Sequence, residues 1–175
     1  MNTEKNKLLA KLKGIKLVAL DFDGTLTVGA FVIFNQDGLE SVICSRRDSL
    51  GINMLKEVGI EVVVISKEVN PVVTARCTKM SIKCWQQVKD GQGKLEVLQS
   101  HAKKMKLNQS EVCFGGDDVN DLSCIKWAGF GFTVADGHEF CKKVADYTTE
   151  AKGGEGAVRE ICEMILKAQG NPVTA

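Results

Sequence analysis

Long apolar runs are missing from this 175-residue chain. No segment approaches the roughly 20 apolar residues of a membrane span, and the opening MNTEKNKLLAKLKG is charged throughout, without the apolar centre of a signal peptide. The expectation is a cytoplasmic chain with no membrane partner. An excess of one charge is missing too: 23 basic against 22 acidic residues leave +1, which suggests neither a nucleic-acid groove nor a polybasic surface. Proline occurs twice, and no low-complexity tract or repeat marks a linker. Histidine also occurs only twice, and the seven cysteines form no C-x-x-C pair. An odd count without that spacing argues against a disulfide framework or a zinc site and points to reduced, mostly buried thiols.

What is present fits a single domain spanning residues 1–175. Hydrophobic residues make up 44%, enough at this length for one full core. Short β-rich runs alternate with helical periodicity. Strands are predicted over Lys16–Leu20, Glu61–Ile65, Glu111–Phe114 and Gly129–Val134, and helices over Ser49–Val58, Pro71–Met80, Gly93–Met105 and Val119–Ala128. Asp48 and Asn70 are candidate N-caps. Alternating β and α units imply an α/β fold: a Rossmann-like three-layer sandwich with a mainly parallel central sheet, whose ligands bind beyond the carboxyl ends of the strands. One segment breaks the alternation. In Ala30–Ser45 two apolar runs flank Asp37-Gly38, which predicts a hairpin flap beside whatever binds after strand one. A last helix, about 156–169, ends at Gly170.

Four segments fall at the expected carboxyl rim. Asp21 and Asp23 follow the first strand, Ser66 and Lys67 the second, Lys94 opens the third helix, and GGDDVND places Asp117, Asp118 and Asp121 after the next strand. Singly, each has an ordinary reading as a turn, a cap or a surface charge. Together they crowd carboxylates that repel one another unless a cation compensates, and an all-oxygen set suits Mg²⁺. A hydroxyl and an ammonium can hold phosphoryl oxygens, which assigns Ser66 and Lys94 to phosphate binding. Asp21 is then free to attack phosphorus and Asp23 to carry the proton.

DFDGTLT, VVVIS, Lys94 and GGDDVND resemble the four motifs of the haloacid dehalogenase superfamily of phosphotransferases. SRRDSLGI, NPVVTARCTKM, VADGHE and GGEGAVREICEMILKAQG are similar to its capless branch. That branch holds the 3-deoxy-octulosonate 8-phosphate phosphatases, the neuraminate 9-phosphate type and the phosphatase-like tail of acylneuraminate cytidylyltransferases. The resemblance implies a magnesium-dependent phosphomonoesterase acting on a phosphorylated keto-deoxy sugar acid. Asp21 would be its nucleophile, Asp23 its general acid and base, and Asp21, Asp23 and Asp117 its metal ligands, with Asp118 orienting metal-bound water. It also implies a homotetramer whose flaps meet at the subunit interface. Arg47, Arg159 and Lys67 are candidates for the sugar end. Thr25, Val28 and Lys67-Glu68 depart from the branch's pattern beside the site, so the leaving group stays open. Two rival readings are a receiver domain using phosphoaspartate and an oligomerisation module without activity.

Overall fold

The computed structural model describes residues 2–29 and 31–173. Its centre is a six-stranded sheet in the order β5-β4-β1-β6-β7-β8, formed by Leu17–Leu20 (β1), Glu61–Ile65 (β4), Lys83–Trp85 (β5), Val112–Gly116 (β6), Phe130–Thr133 (β7) and Tyr147–Thr148 (β8). Every pairing is parallel. The other two strands, Ile33–Phe34 (β2) and Glu40–Ser41 (β3), make the antiparallel hairpin after β1. The helices are Asn2–Leu12 (α1), Arg46–Glu57 (α2), Val72–Met80 (α3), Gly91–Lys104 (α4), Leu122–Trp127 (α5), Glu139–Val144 (α6) and Ala157–Ala168 (α7).

Alternation along the strands builds the three layers. Val18 and Leu20 of β1 pack with Val62 and Val64 under Ile52 and Leu55 of α2, Val73 of α3 and Ile161 and Ile165 of α7. Leu17 and Ala19 pack with Val63, Ile65 and Phe114 against Leu98 of α4 and Ile125 of α5. Both faces of β1 are therefore buried, as expected for a central parallel strand. From β1 the chain moves to β4 and β5 on one side and returns to β6 on the other, so the switch point lies beside β1.

All four predicted strands form. β5 and β8 were not predicted, because segments of three and two residues carry too little periodicity. The helix over Val119–Ala128 is split into a 3₁₀ turn at Val119–Asp121 and α5. Asn70 accepts the Val72 amide at 3.2 Å. Asp48 is not the cap of α2, which starts earlier: Ser45 caps it by accepting the Arg47 amide at 3.0 Å. Asp48 is instead buried inside α2 and accepts the Arg159 amide at 2.8 Å, capping α7 from a neighbouring helix.

The hairpin prediction begins at Ala30, which lies outside the described residues. In the remainder, Asp37 accepts the Leu39 amide at 3.0 Å and Gly38 takes φ +76°, closing the turn between β2 and β3. Its foot is fixed beside the end of β1 by a Thr27–Cys44 bridge and by Val28 N–H donating to Ile43 at 2.9 Å. Phe31, Ile33 and Phe34 are 82%, 59% and 71% exposed, an apolar surface that this chain leaves uncovered. All seven cysteines are unbonded, and five of them are buried.

Candidate functional site

The site begins where β1 stops. Asp21 is the first residue past the strand, its amide tied to Gly115 at 2.8 Å. The next turn reverses sharply: Gly24 has φ +77°, and a Cβ there would lie 2.0 Å from Asp117 Oδ2. Only glycine allows that carboxylate to approach so closely. Thr27 locks the turn, its Oγ1 accepting the Gly24 amide and donating to the Gly29 carbonyl, both at 2.9 Å.

The β6 side is built the same way. A Cβ on Gly116 would sit 2.4 Å from the Asp121 side chain, so glycine lets Asp121 fold back against the strand end. There Asp121 Oδ2 accepts the Asp117 amide at 3.2 Å, while Asp118 caps the 3₁₀ turn by accepting the Val119 amide at 2.6 Å. The α4 N-terminus is tied to this side by Ser123 Oγ donating to Gly91 at 2.7 Å. From its first turn the fully buried Lys94 donates to Asp21 Oδ1 at 2.6 Å and to Asp121 Oδ1 at 2.7 Å.

Oxygen atoms of Asp21, Asp117 and Asp121 lie within 4.8 Å of one another. Three carboxylates facing one ammonium leave net negative charge in a buried place. Burial and the Asp21 charge push the Asp117 carboxyl up to about 8, and burial followed by Asp21 pushes Asp23 up to about 6. Asp121 is raised by burial and by Asp21, against the pull of Lys94. Burial alone would lower Lys94, but Asp21 and Asp121 outweigh it and hold the ammonium charged. An all-oxygen donor set with surplus negative charge fits a hard divalent cation such as Mg²⁺, supplied by Asp21, Asp117 and Asp121.

A cleft of ≈ 370 Å³ opens onto this cluster, with Asp21, Asp23, Ser66, Lys67, Asp117 and Asp118 in its walls. The structure thus brings together all of the rim residues singled out by the sequence, with Lys94 beneath them. Ser66 is buried, its Oγ accepting the Glu68 amide at 3.0 Å, which leaves its hydroxyl proton free to donate. Asp121 was placed at the rim but given no role. The signal was the last acid of GGDDVND, whose contact with Lys94 no spacing rule reveals.

Arg47 and Arg159 are elsewhere. They line a separate cleft with Glu155, Glu160 and Glu163, where Arg159 Nε donates to Glu163 at 2.7 Å. A third cleft, ≈ 440 Å³ between α2 and α3, has Arg46, Arg76 and Lys79 in its walls and no carboxylate. Arg76 there donates to Ser49 Oγ at 2.6 Å and to the Ser45 carbonyl at 3.1 Å, at the foot of the hairpin. Sequence reasoning missed Arg76 and Lys79 because, one turn apart on a half-exposed helix, they read as solvated charges.

The sequence profile of the haloacid dehalogenase-like hydrolases matches residues 61–161. The chain belongs to that family. Among relatives, the 3-deoxy-D-manno-octulosonate 8-phosphate phosphatase of Escherichia coli K12 is 34% identical over 93% of this chain and 85% of its own length. The corresponding phosphatase of Haemophilus influenzae is 35% identical over 91% and 87%. A crystal structure of the Moraxella catarrhalis phosphatase of the same name, in complex with magnesium, phosphate and KDO, superposes with a TM-score of 0.89. It is 38% identical and covers 94% of this chain and 93% of its own. Family membership makes the chain a hydrolase and agrees with the parallel α/β sheet and its rim of acids.

Proposed function

We propose that the chain is a magnesium-dependent phosphatase of a phosphorylated keto-deoxy sugar acid, of the octulosonate 8-phosphate or nonulosonate 9-phosphate type. The observation carrying the chemistry is Lys94 held between Asp21 and Asp121, with Asp117, Asp23 and Ser66 around one cleft. The sugar-acid class is supported by the likeness to the octulosonate 8-phosphate phosphatases. Bound magnesium would offset the repulsion between carboxylate and phosphate. Lys94 and Ser66 hold phosphoryl oxygens while Asp21 attacks phosphorus and Asp23 gives its proton to the departing sugar oxygen as the P–O bond breaks. Water, giving its proton to Asp23, then attacks the aspartyl-phosphate, releasing phosphate and restoring the Asp21 carboxylate. Asp118, at the cleft wall, is suited to orient water on the metal.

Two further parts of the substrate and assembly follow. A sugar carboxylate needs a cation, and the acid-free cleft of Arg46, Arg76 and Lys79 fits better than Arg47 and Arg159, which face three glutamates. That cleft adjoins the hairpin foot, so assembly through Phe31, Ile33 and Phe34, as a tetramer, would carry it toward a neighbouring copy's acid cleft. No described helix is long and apolar enough to cross a membrane. The unbonded thiols suit a reducing cytoplasm.

Phosphate release from octulosonate 8-phosphate and neuraminate 9-phosphate, with and without Mg²⁺, tests the reading. Turnover is expected to require the metal and to vanish in Asp21→Asn with circular dichroism unchanged. Full activity in that variant sinks the nucleophile assignment, and a preference for ordinary hexose phosphates sinks the sugar-acid class.

A further inference from the structure

The loop between β8 and α7, Thr149–Gly156, supplies no side chain to the acid cluster, yet three carboxylates from three elements hold it. Glu160 of α7 accepts the Glu150 and Ala151 amides, each at 3.1 Å. Asp136, after β7, accepts the Gly153 amide at 3.0 Å. Asp48 of α2 fixes the helix that follows through the Arg159 amide at 2.8 Å. Held this way, the loop presses its backbone on the turn that carries Asp23. Gly154 N–H donates to Thr25 at 3.0 Å, and Gly154, at φ +66°, could carry no Cβ without meeting Val28 N at 2.2 Å. At Gly153 a Cβ would lie 1.7 Å from the Gly24 carbonyl oxygen, which is backbone and cannot swing aside.

The turn has no room to retreat. On its other side a Cβ at Gly24 would strike Asp117 Oδ2, and the Gly24 amide is already bonded to Gly29 and Thr27. The turn is therefore clamped between Asp117 and Gly153. We infer that Gly153, seated by Asp136, is a positioning residue that sets the Asp23 carboxyl for proton transfer to the leaving oxygen. This rests on the phosphoryl-transfer reading above. Displacing the turn would move Asp23 relative to that oxygen, whereas Asp21 is tied to β6 through its amide on Gly115 at 2.8 Å and to Lys94 through its carboxylate at 2.6 Å. General-acid help is sensitive to such displacement and matters most for poor leaving groups.

The test compares an alkyl phosphate with p-nitrophenyl phosphate, whose leaving group departs without a proton. Gly153→Ala is expected to lower kcat on the alkyl ester at least ten-fold more than on the aryl ester. Asp136→Ala, which removes the Gly153 tie without adding a Cβ at the turn, should do the same about three-fold, and Asp136→Asn, keeping an acceptor oxygen, should restore the wild-type ratio. If Gly153→Ala does not fold, the Asp136 pair decides. Equal losses on both esters, or none on either, in folded variants overturn the inference while wild-type turnover and an inactive Asp21→Asn leave the phosphatase reading standing. A wild-type protein that hydrolyses neither these esters nor octulosonate 8-phosphate and neuraminate 9-phosphate overturns both.

Discussion

Two clefts of opposite charge divide this chain. The acid cleft at the switch point gathers Asp21, Asp23 and Asp117, with Lys94 and Asp121 fully buried beneath it. The cationic cleft between α2 and α3 holds Arg46, Arg76 and Lys79 at the protein surface, with no carboxylate among the described residues in its walls. The first is tightly built and carries surplus negative charge: glycines bring its carboxylates into contact range, and one ammonium, Lys94, is shared by Asp21 and Asp121. The second is open, and Arg76 is held there by neutral acceptors, Ser49 Oγ and the Ser45 carbonyl. The difference teaches where two jobs are encoded. On the proposed reading, bond-breaking chemistry would sit on motifs at strand ends, whereas recognition of the rest of the substrate would be spread over helix surfaces and a hairpin that meets a second copy.

Removing the charge that holds the acid cleft together should have the largest effect. Lys94→Met leaves Asp21 and Asp121 facing each other in a buried place, so turnover should fall on the order of 10³-fold or more. Stability should fall by about 3 kcal/mol, as when one partner of a buried ion pair is lost. Urea melts should show a greater loss at pH 8 than at pH 5, where a shared proton replaces the lysine. A stability unchanged at pH 8 would mean that the buried ion pair is not what organises the cleft.

The cationic cleft predicts a smaller and selective effect. Arg76→Ala should lower kcat/KM for a sugar-acid phosphate about 10- to 100-fold, the range for a charged hydrogen bond, and leave p-nitrophenyl phosphate nearly untouched. Separating the copies with Phe31→Ser and Phe34→Ser should reproduce that loss while analytical ultracentrifugation reports monomer. A monomeric wild type, or equal losses on both substrates, would break the division of labour between the clefts.

The smallest effect is a slope. Asp23, at about 6, and Asp117, at about 8, both titrate above the ordinary 3.8, so the folded, metal-free protein holds protons that the unfolded chain releases. Stability is then greatest below about pH 4 in these groups and is lost as pH rises through 6 and 8. Thermal melts in EDTA should show the Tm falling by a few degrees between pH 5 and 8. Mg²⁺ should raise it most at the alkaline end, since the metal competes with those protons. A Tm that Mg²⁺ raises equally at both pH values would remove these acids from the metal site.

Much of this was legible in the residues. The four predicted strands formed because buried parallel strands read as apolar runs, and the rim residues met because strand ends in such a sheet converge at one edge. The tie from Asp48 to α7 was not legible: the residue's chemistry marked a cap, but a cap reaches the nearest helix end in space, and that end belonged to a helix 109 residues later. Arg47 and Arg159 stand out in the sequence while Arg76 and Lys79 do not, for a related reason. A charge is informative only beside its partners, and the glutamates around Arg159 come from packing, not from spacing.

The sequence by itself determined the α/β class, the mainly parallel sheet and the acids, hydroxyl and lysine at the rim, since each depends on local period and on short motifs. Tertiary structure decided what those residues do to one another. It placed Asp121 against Lys94, pressed Gly153 on the Gly24 turn, capped α7 with Asp48 and brought Arg76 and Lys79 to one cleft with Arg46, because these are contacts between segments far apart in the chain, and distance in sequence carries no record of distance in space.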